Sequence, residues 1–196
     1  MKLLVGTNNI GKVREIHELL ADLPFELKSL QDFAEIGDVE ETGATFAENA
    51  VLKAREYARQ TGLWTVADDS GLAVDALGGA PGVFSARYAA DNDARIKKLL
   101  HEIDKSSDKN RAARFVCVMA VADDSGEIKF TAEGVCEGKI AEHPRGNGGF
   151  GYDPVFIPYG FQLTFGELSS EIKGQISHRA HASAKIIRYL RDFVAV

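Results

Sequence analysis

Residues 67–87 read ADDSGLAVDALGGAPGVFSAR. The apolar run Leu63, Trp64, Thr65, Val66, Ala67 predicts a short buried strand that stops at two adjacent carboxylates, Asp68 and Asp69. Ser70 and Gly71 then lead into a second short strand, Leu72 to Leu77, and the turn Gly78-Gly79-Ala80-Pro81-Gly82 follows. Two acids at the end of a buried strand are costly to desolvate unless a cation or a reaction uses them. Asp and Ser are also ordinary turn formers, so the stretch alone fits a strand end running into a loop equally well. Asp123-Asp124-Ser125-Gly126 repeats the same tetrad between two strand-like runs, where it reads as a hairpin turn. The rest of the chain has to decide between the two.

Upstream, Thr45 with Glu48 three residues on is a capping box that opens a helix through about Gln60. Ala50, Val51, Ala54, Tyr57 and Ala58 supply its buried side, and Asn49 and Lys53, four apart, share another face. Further back, Lys2 to Val5 predicts a buried strand, and Gly6 to Lys12 a polar turn. A helix follows with Val13, Ile16, Leu19 and Leu20 at amphipathic spacing, closed before Pro24, and then a strand from Phe25 to Leu30. Strand, helix and strand in this order predict an α/β architecture. Lys12 falls where that helix begins, and free backbone N–H groups there attract anions. Thr7 and Asn9 suit either capping or donation to such an anion. The Walker A spacing is absent.

Downstream, Asp91 to Ile103 predicts an amphipathic helix, 104–110 a surface loop, and Arg114–Ala122 and Ile128–Val135 two strands. Residues 144–158, PRGNGGFGYDPVFIP, contain Gly146, Gly148 and Gly151 in the G-x-G-x-x-G spacing of dinucleotide sites. Tyr152-Asp153-Pro154 cannot open the helix such a site needs, which rejects a Rossmann fold. The glycines instead suit close approach of backbone to a flat ligand, with Phe150 or Tyr152 available to stack, or a glycine loop plugged by an aromatic. A short helix around Glu167–Ile172 and a last helix capped by Ser177 complete the chain. His178 and Arg179 then occupy a first turn where cations oppose the helix dipole, as if recruited by an anion or left solvated.

A chain of 196 residues with 45% hydrophobic and 27% charged residues fits one soluble domain with one sizeable core. The net charge of −6 argues against a general nucleic-acid binder but not against a small anion held by a few placed cations. No apolar run has the length of a membrane span, and residues 1–6 are too short for a signal-peptide core, which leaves the cytoplasm as the expected compartment. Cys117 and Cys136 lack metal-ligand spacing, and Cys117 reads as a buried inert thiol.

The motifs in chain order resemble the inosine triphosphate pyrophosphatase family, the dITP/XTP pyrophosphatases. They are Thr7-x-Asn9-x-x-Lys12, Glu41-Thr42-Gly43 with Thr45-Phe46-x-Glu48-Asn49-Ala50, then residues 67–87, 148–154 and Ser177-His178-Arg179. The resemblance implies an elongated mixed β-sheet with flanking helices, two lobes around a cleft within a single domain over 1–196, and a homodimer. It implies magnesium-dependent hydrolysis of ITP, dITP or XTP to the monophosphate and pyrophosphate. On this reading Asp69 is the general base and, with Glu41, a magnesium ligand. Thr7, Asn8, Asn9, Ile10, Gly11 and Lys12 contact the triphosphate, and Ser70 the substrate. Phe150, Gly151, Tyr152 and Asp153 recognise the base, and Lys173, His178 and Arg179 complete the nucleotide site. Lys53, Asp68 and Arg87 support it. A pyrophosphatase of different base preference and a nucleotide-binding sensor without turnover remain open alternatives.

Overall fold

The computed structural model describes residues 1–194. The elements are β1 (Lys2–Val5), α1 (Ile10–Leu20), β2 (Glu26–Ser29), α2 (Phe46–Thr61), β3 (Trp64–Val74), α3 (Asn92–Lys105), β4 (Ala112–Ala122), β5 (Ile128–Ile140), β6 (Phe156–Pro158), α4 (Ser170–Ile176) and α5 (His178–Val194). The strands form one six-stranded sheet in the order β2-β1-β3-β4-β5-β6. β1 runs parallel to both β2 and β3, whereas β5 and β6 are antiparallel, so the sheet is mixed as expected. Parallel neighbours need a crossover, and α1 supplies the one between β1 and β2.

The chain divides into two compact units. The first comprises Met1–Asp69, Cys117–Gly134 and the stretch from Arg179. Its strands are covered on both faces, and the parity of side chains along each strand shows by what. Val66 of β3 and Cys117, Met119 and Val121 of β4 pack with Ile16 and Leu20 of α1 and Ala182, Ile186 and Leu190 of α5. Ala67 and Val118, Ala120 and Ala122 pack with Ala50, Ala54 and Ala58 of α2. Successive residues of a strand point to opposite faces, which explains both lists. The second unit comprises Ser70–Val116 and Val135–His178. Its core joins Leu72 and Val74 of β3, Ile96, Leu99 and Ile103 of α3, Phe115 of β4, and Tyr152, Phe156 and Phe165.

The helix starts follow the sequence closely. Thr45 accepts from the Glu48 N–H at 3.1 Å and the Glu48 carboxylate returns a bond to the Thr45 N–H, so the capping box forms. Thr45→Ala is expected to cost about 1 kcal/mol of stability by urea denaturation, the usual worth of an N-cap.

Three expectations are corrected. The chain does not break at Asp68-Asp69; β3 is one continuous strand from Trp64 to Val74, because both carboxylates find cations within the fold. The last short helix begins at Ser170 rather than Glu167, since Ser169 is its cap and accepts from the Ile172 N–H. β5 extends five residues beyond Val135 to Ile140, long enough to pair Gly138, Lys139 and Ile140 with β6. The second tetrad is a turn, as read: Asp123 Oδ1 accepts from the Ser125 N–H at 3.0 Å, the Ser125 hydroxyl at 2.7 Å and the Glu127 N–H at 3.0 Å. No helix among the described residues is long and apolar enough to cross a membrane.

Candidate functional site

Strand alternation sends Asp68 and Asp69 to opposite faces of β3, and each meets the charges of the helices on its own face. Asp68 is fully buried. Its Oδ2 lies 3.2 Å from Lys12 Nζ of α1 and 3.0 Å from Arg179 Nη2 of α5, and the Cys117 thiol points at it from 3.8 Å. Burial works to protonate this carboxyl, but Lys12, Arg179 and Lys53 outweigh it and hold Asp68 well below the usual carboxylate range. Arg179 is only 1% exposed and also pairs with Glu15 of α1. Burial raises the Cys117 thiol far above its ordinary value, and the neighbouring Asp68 charge adds to that, so Cys117 is an inert core thiol.

Asp69 faces α2. Asn49 Nδ2 donates to its Oδ2 at 3.1 Å, and Lys53 Nζ lies 3.7 Å from Oδ1 and 2.5 Å from Glu41 Oε1. Burial raises the Asp69 carboxyl, and the Glu41 charge adds to it, against the opposing pull of Lys53, Lys12 and the Asn49 amide. A carboxylate raised above its ordinary value beside a lysine and a second acid is a stronger proton acceptor than a free aspartate.

The loop that leads into α1 is built for capping. Asn9 Oδ1 accepts from the Lys12 N–H at 3.1 Å, and Thr7 Oγ1 accepts from the Asn9 N–H at 3.3 Å. Asn8 donates to Asp38 at 2.5 Å, and Ile10, 72% exposed, and Gly11 form the helix start itself. The capping reading of Asn9 therefore holds. The first unit holds two groups of ion pairs, Lys12, Arg179 and Glu15 around Asp68 on one face of β3, and Lys53 between Glu41 and Asp69 on the other.

The second unit holds Ser70, residues 150–153, Lys173 and His178. Asp153 is buried and accepts from the Phe150 N–H at 2.7 Å and Lys173 Nζ at 2.5 Å. A side chain on Gly149, at φ +69°, would strike Asp153 Oδ2, so glycine there lets the loop close on that carboxylate. Gly151, at φ +62°, makes the return. Lys173 also lies 4.9 Å from the centre of the Phe150 ring. His178 stacks on Phe115 at 4.7 Å between centroids and 12° between planes. Tyr152 departs from the expectation that it could stack on a ligand: it is buried in the core, and its hydroxyl donates to Ser85 O at 3.0 Å. Phe150, half-buried, is the ring of the pair that suits stacking.

Sequence reading passed over Glu15 and Phe115, and noted Asn49 only as sharing a helix face with Lys53 and as part of a motif, without a role of its own. Glu15 sits one helical turn after Lys12, a spacing that signals a shared face. Asn49 is a buried polar residue in a helix, a costly choice that asks for a partner. Phe115 carried no local signal, since its partner lies 63 residues away and an apolar strand residue needs no further explanation.

The Ham1 family profile matches residues 3–189. A dITP/XTP pyrophosphatase of Geobacillus kaustophilus is 54% identical over 196 residues, covering 98% of this chain and 96% of the relative. One of a Nostoc species is 51% identical over 185 residues, covering 94% and 92%. Among solved structures, a HAM1 protein from Coxiella burnetii matches with a TM-score of 0.90 at 42% identity, covering 98% of this chain and 99% of that one.

Proposed function

The chain belongs to the Ham1 family, and on that premise we propose that it hydrolyses the non-standard purine nucleotides dITP, XTP and ITP to the monophosphate and pyrophosphate. The observation that carries the reading is Asp69, buried and raised, held by the Asn49 amide and by Lys53, whose ammonium it shares with Glu41, with the Lys12 charge acting on it as well. Asp69 in its ionised form orients a water and takes its proton as the oxygen attacks the α-phosphorus. The bond from that phosphorus to the bridging oxygen breaks, and pyrophosphate leaves. Lys12, beside the N-terminal turn of α1, and Lys53 offset the phosphate charge.

Glu41 and Asp69 fit a magnesium ion. They are hard oxygen donors that share one ammonium, and no group of three or more His, Cys, Asp or Glu converges among the described residues. One or two carboxylates, with water and phosphate oxygens as the other ligands, is how magnesium is usually held. When bound it would neutralise phosphate oxygens and stabilise the charge that develops on them.

In the second unit, Phe150 stacks on the base, and the loop pinned by Asp153 and Lys173, with His178, presents groups to its edge. A group placed for a 6-oxo purine meets an amino group in adenine, and such a mismatch costs about 1–3 kcal/mol. With magnesium present, kcat/KM for dITP, XTP and ITP is therefore expected to exceed that for ATP by about tenfold or more. Pyrophosphate should be the first product. Equal rates across nucleotides, or orthophosphate released first, would overturn the reading. The same reading carries a homodimer that acts on the cytoplasmic nucleotide pool; a monomer mass by light scattering would remove the dimer.

A further inference from the structure

We propose that Asn49 is a positioning residue that clamps the Glu41-Thr42-Gly43 segment to Asp69 and so fixes how the two metal-binding carboxylates face each other; this rests on the function proposed above. Asn49 is a poor helix former placed in the second turn of α2 with no exposed surface, where alanine or leucine would pack at lower cost. Its amide orientation follows from its partners. The Gly43 N–H donates to Oδ1 at 2.8 Å, which fixes Oδ1 as the acceptor and leaves Nδ2 to donate to Asp69 Oδ2 at 3.1 Å. One side chain therefore holds both a backbone amide two residues from Glu41 and the carboxylate of the base.

Gly43 is shaped for that contact. A Cβ at this position would lie 2.7 Å from Asn49 Oδ1 and 2.6 Å from Glu48 Cβ, so any larger residue forces the amide away. Lys53, one turn further along α2, makes a second bridge between the same segment and Asp69, reaching Glu41 Oε1 and Asp69 Oδ1. The oxygens of Asp69 are thus divided: Oδ2 is anchored by the Asn49 amide, and Oδ1 is the oxygen turned to the Lys53 and Glu41 side. Two side chains on one rigid helix set the separation of the carboxylates before any ligand arrives, which is the usual job of groups behind a metal site.

The test uses the full chain with Asn49→Ala, Gly43→Ala and the double variant. Three quantities are measured: the Mg2+ dissociation constant without nucleotide by calorimetry, kcat and KM for dITP, and thermal stability. Each single variant is expected to weaken Mg2+ binding by about 10–100-fold and to lower kcat more than it changes KM. The double variant should bind Mg2+ no worse than the weaker single, because both remove one clamp. A lowered melting temperature with unchanged Mg2+ affinity and kcat would reduce Asn49 to a packing residue. Losses that multiply in the double variant would separate Gly43 from Asn49 and also overturn the clamp. A wild-type protein that hydrolyses dITP equally well without Mg2+ would instead remove the metal reading on which the clamp rests.

Discussion

Asp69→Asn is expected to lower dITP turnover by about 10²–10⁴-fold, the range that a positioned general base supplies, while nucleotide affinity stays within a few-fold. The substitution keeps size and shape. The Asn49 amide can still donate to the new carbonyl, and Lys53 keeps Glu41 at 2.5 Å, so the surroundings have no reason to rearrange. What disappears is the ability to take a proton, one negative charge beside Lys53 and one of the two carboxylates that would hold magnesium. The pH profile gives a second readout. Burial raises the Asp69 carboxyl above the ordinary aspartate value, with Glu41 adding to the effect. A base works only when ionised, so the wild-type rate rises with pH as the Asp69 carboxyl loses its proton. In Asp69→Asn that rise should vanish along with the rate. Turnover at the wild-type level would remove Asp69 from the mechanism. Loss of nucleotide binding together with turnover would instead make its charge a structural part of the pocket.

Which features were legible in the sequence follows from how far apart the interacting residues lie. The capping box of Thr45 and Glu48, the amphipathic helix after Asp91 and the strand from Lys2 to Val5 carry their explanation within a few turns or one strand, and each forms where its pattern predicts, within two residues at its ends. The Asp68-Asp69 pair was misread as a strand end because a local window shows two uncompensated acids. Their compensation comes from Lys12, Asn49, Lys53 and Arg179, contributed by three different helices. The two Asp-Asp-Ser-Gly tetrads make the same point: identical letters form a solvent-side turn at Asp123 and the middle of a buried strand at Asp68. Tyr152 was legible as an aromatic in a glycine loop but not as a core residue, since that depends on Ser85, 67 residues earlier. The site types were readable, whereas the pairings that decide each residue's task depend on the tertiary fold.

Asp68 gives the largest expected effect on stability. It is the common partner of Lys12 and Arg179, and Arg179 is itself buried. Asp68→Leu removes the charge and leaves the guanidinium with Glu15 as its remaining carboxylate partner in the set, so a loss of about 3–5 kcal/mol is expected by urea denaturation at pH 7. The Lys12 head is partly solvated and can turn to water, so most of the cost falls on Arg179. Arg179→Met on the Asp68→Leu background should then recover part of the loss, because a buried pair replaced by apolar groups is often neutral or better. Acid acts on the same carboxyl. Lys12, Arg179 and Lys53 overcome burial and depress the folded Asp68 carboxyl, so its contribution is fully present above the unfolded value near 3.9 and is lost as pH falls below it. The gap between wild type and Asp68→Leu should therefore narrow by about 1 kcal/mol between pH 7 and pH 3. A gap below about 1 kcal/mol at pH 7 would show that Asp68 is not the partner that lets Arg179 be buried. A gap that widens in acid would mean that the folded carboxyl is not depressed, and that Asp68 is buried for catalysis at a cost to the fold rather than as the partner that lets Arg179 be buried.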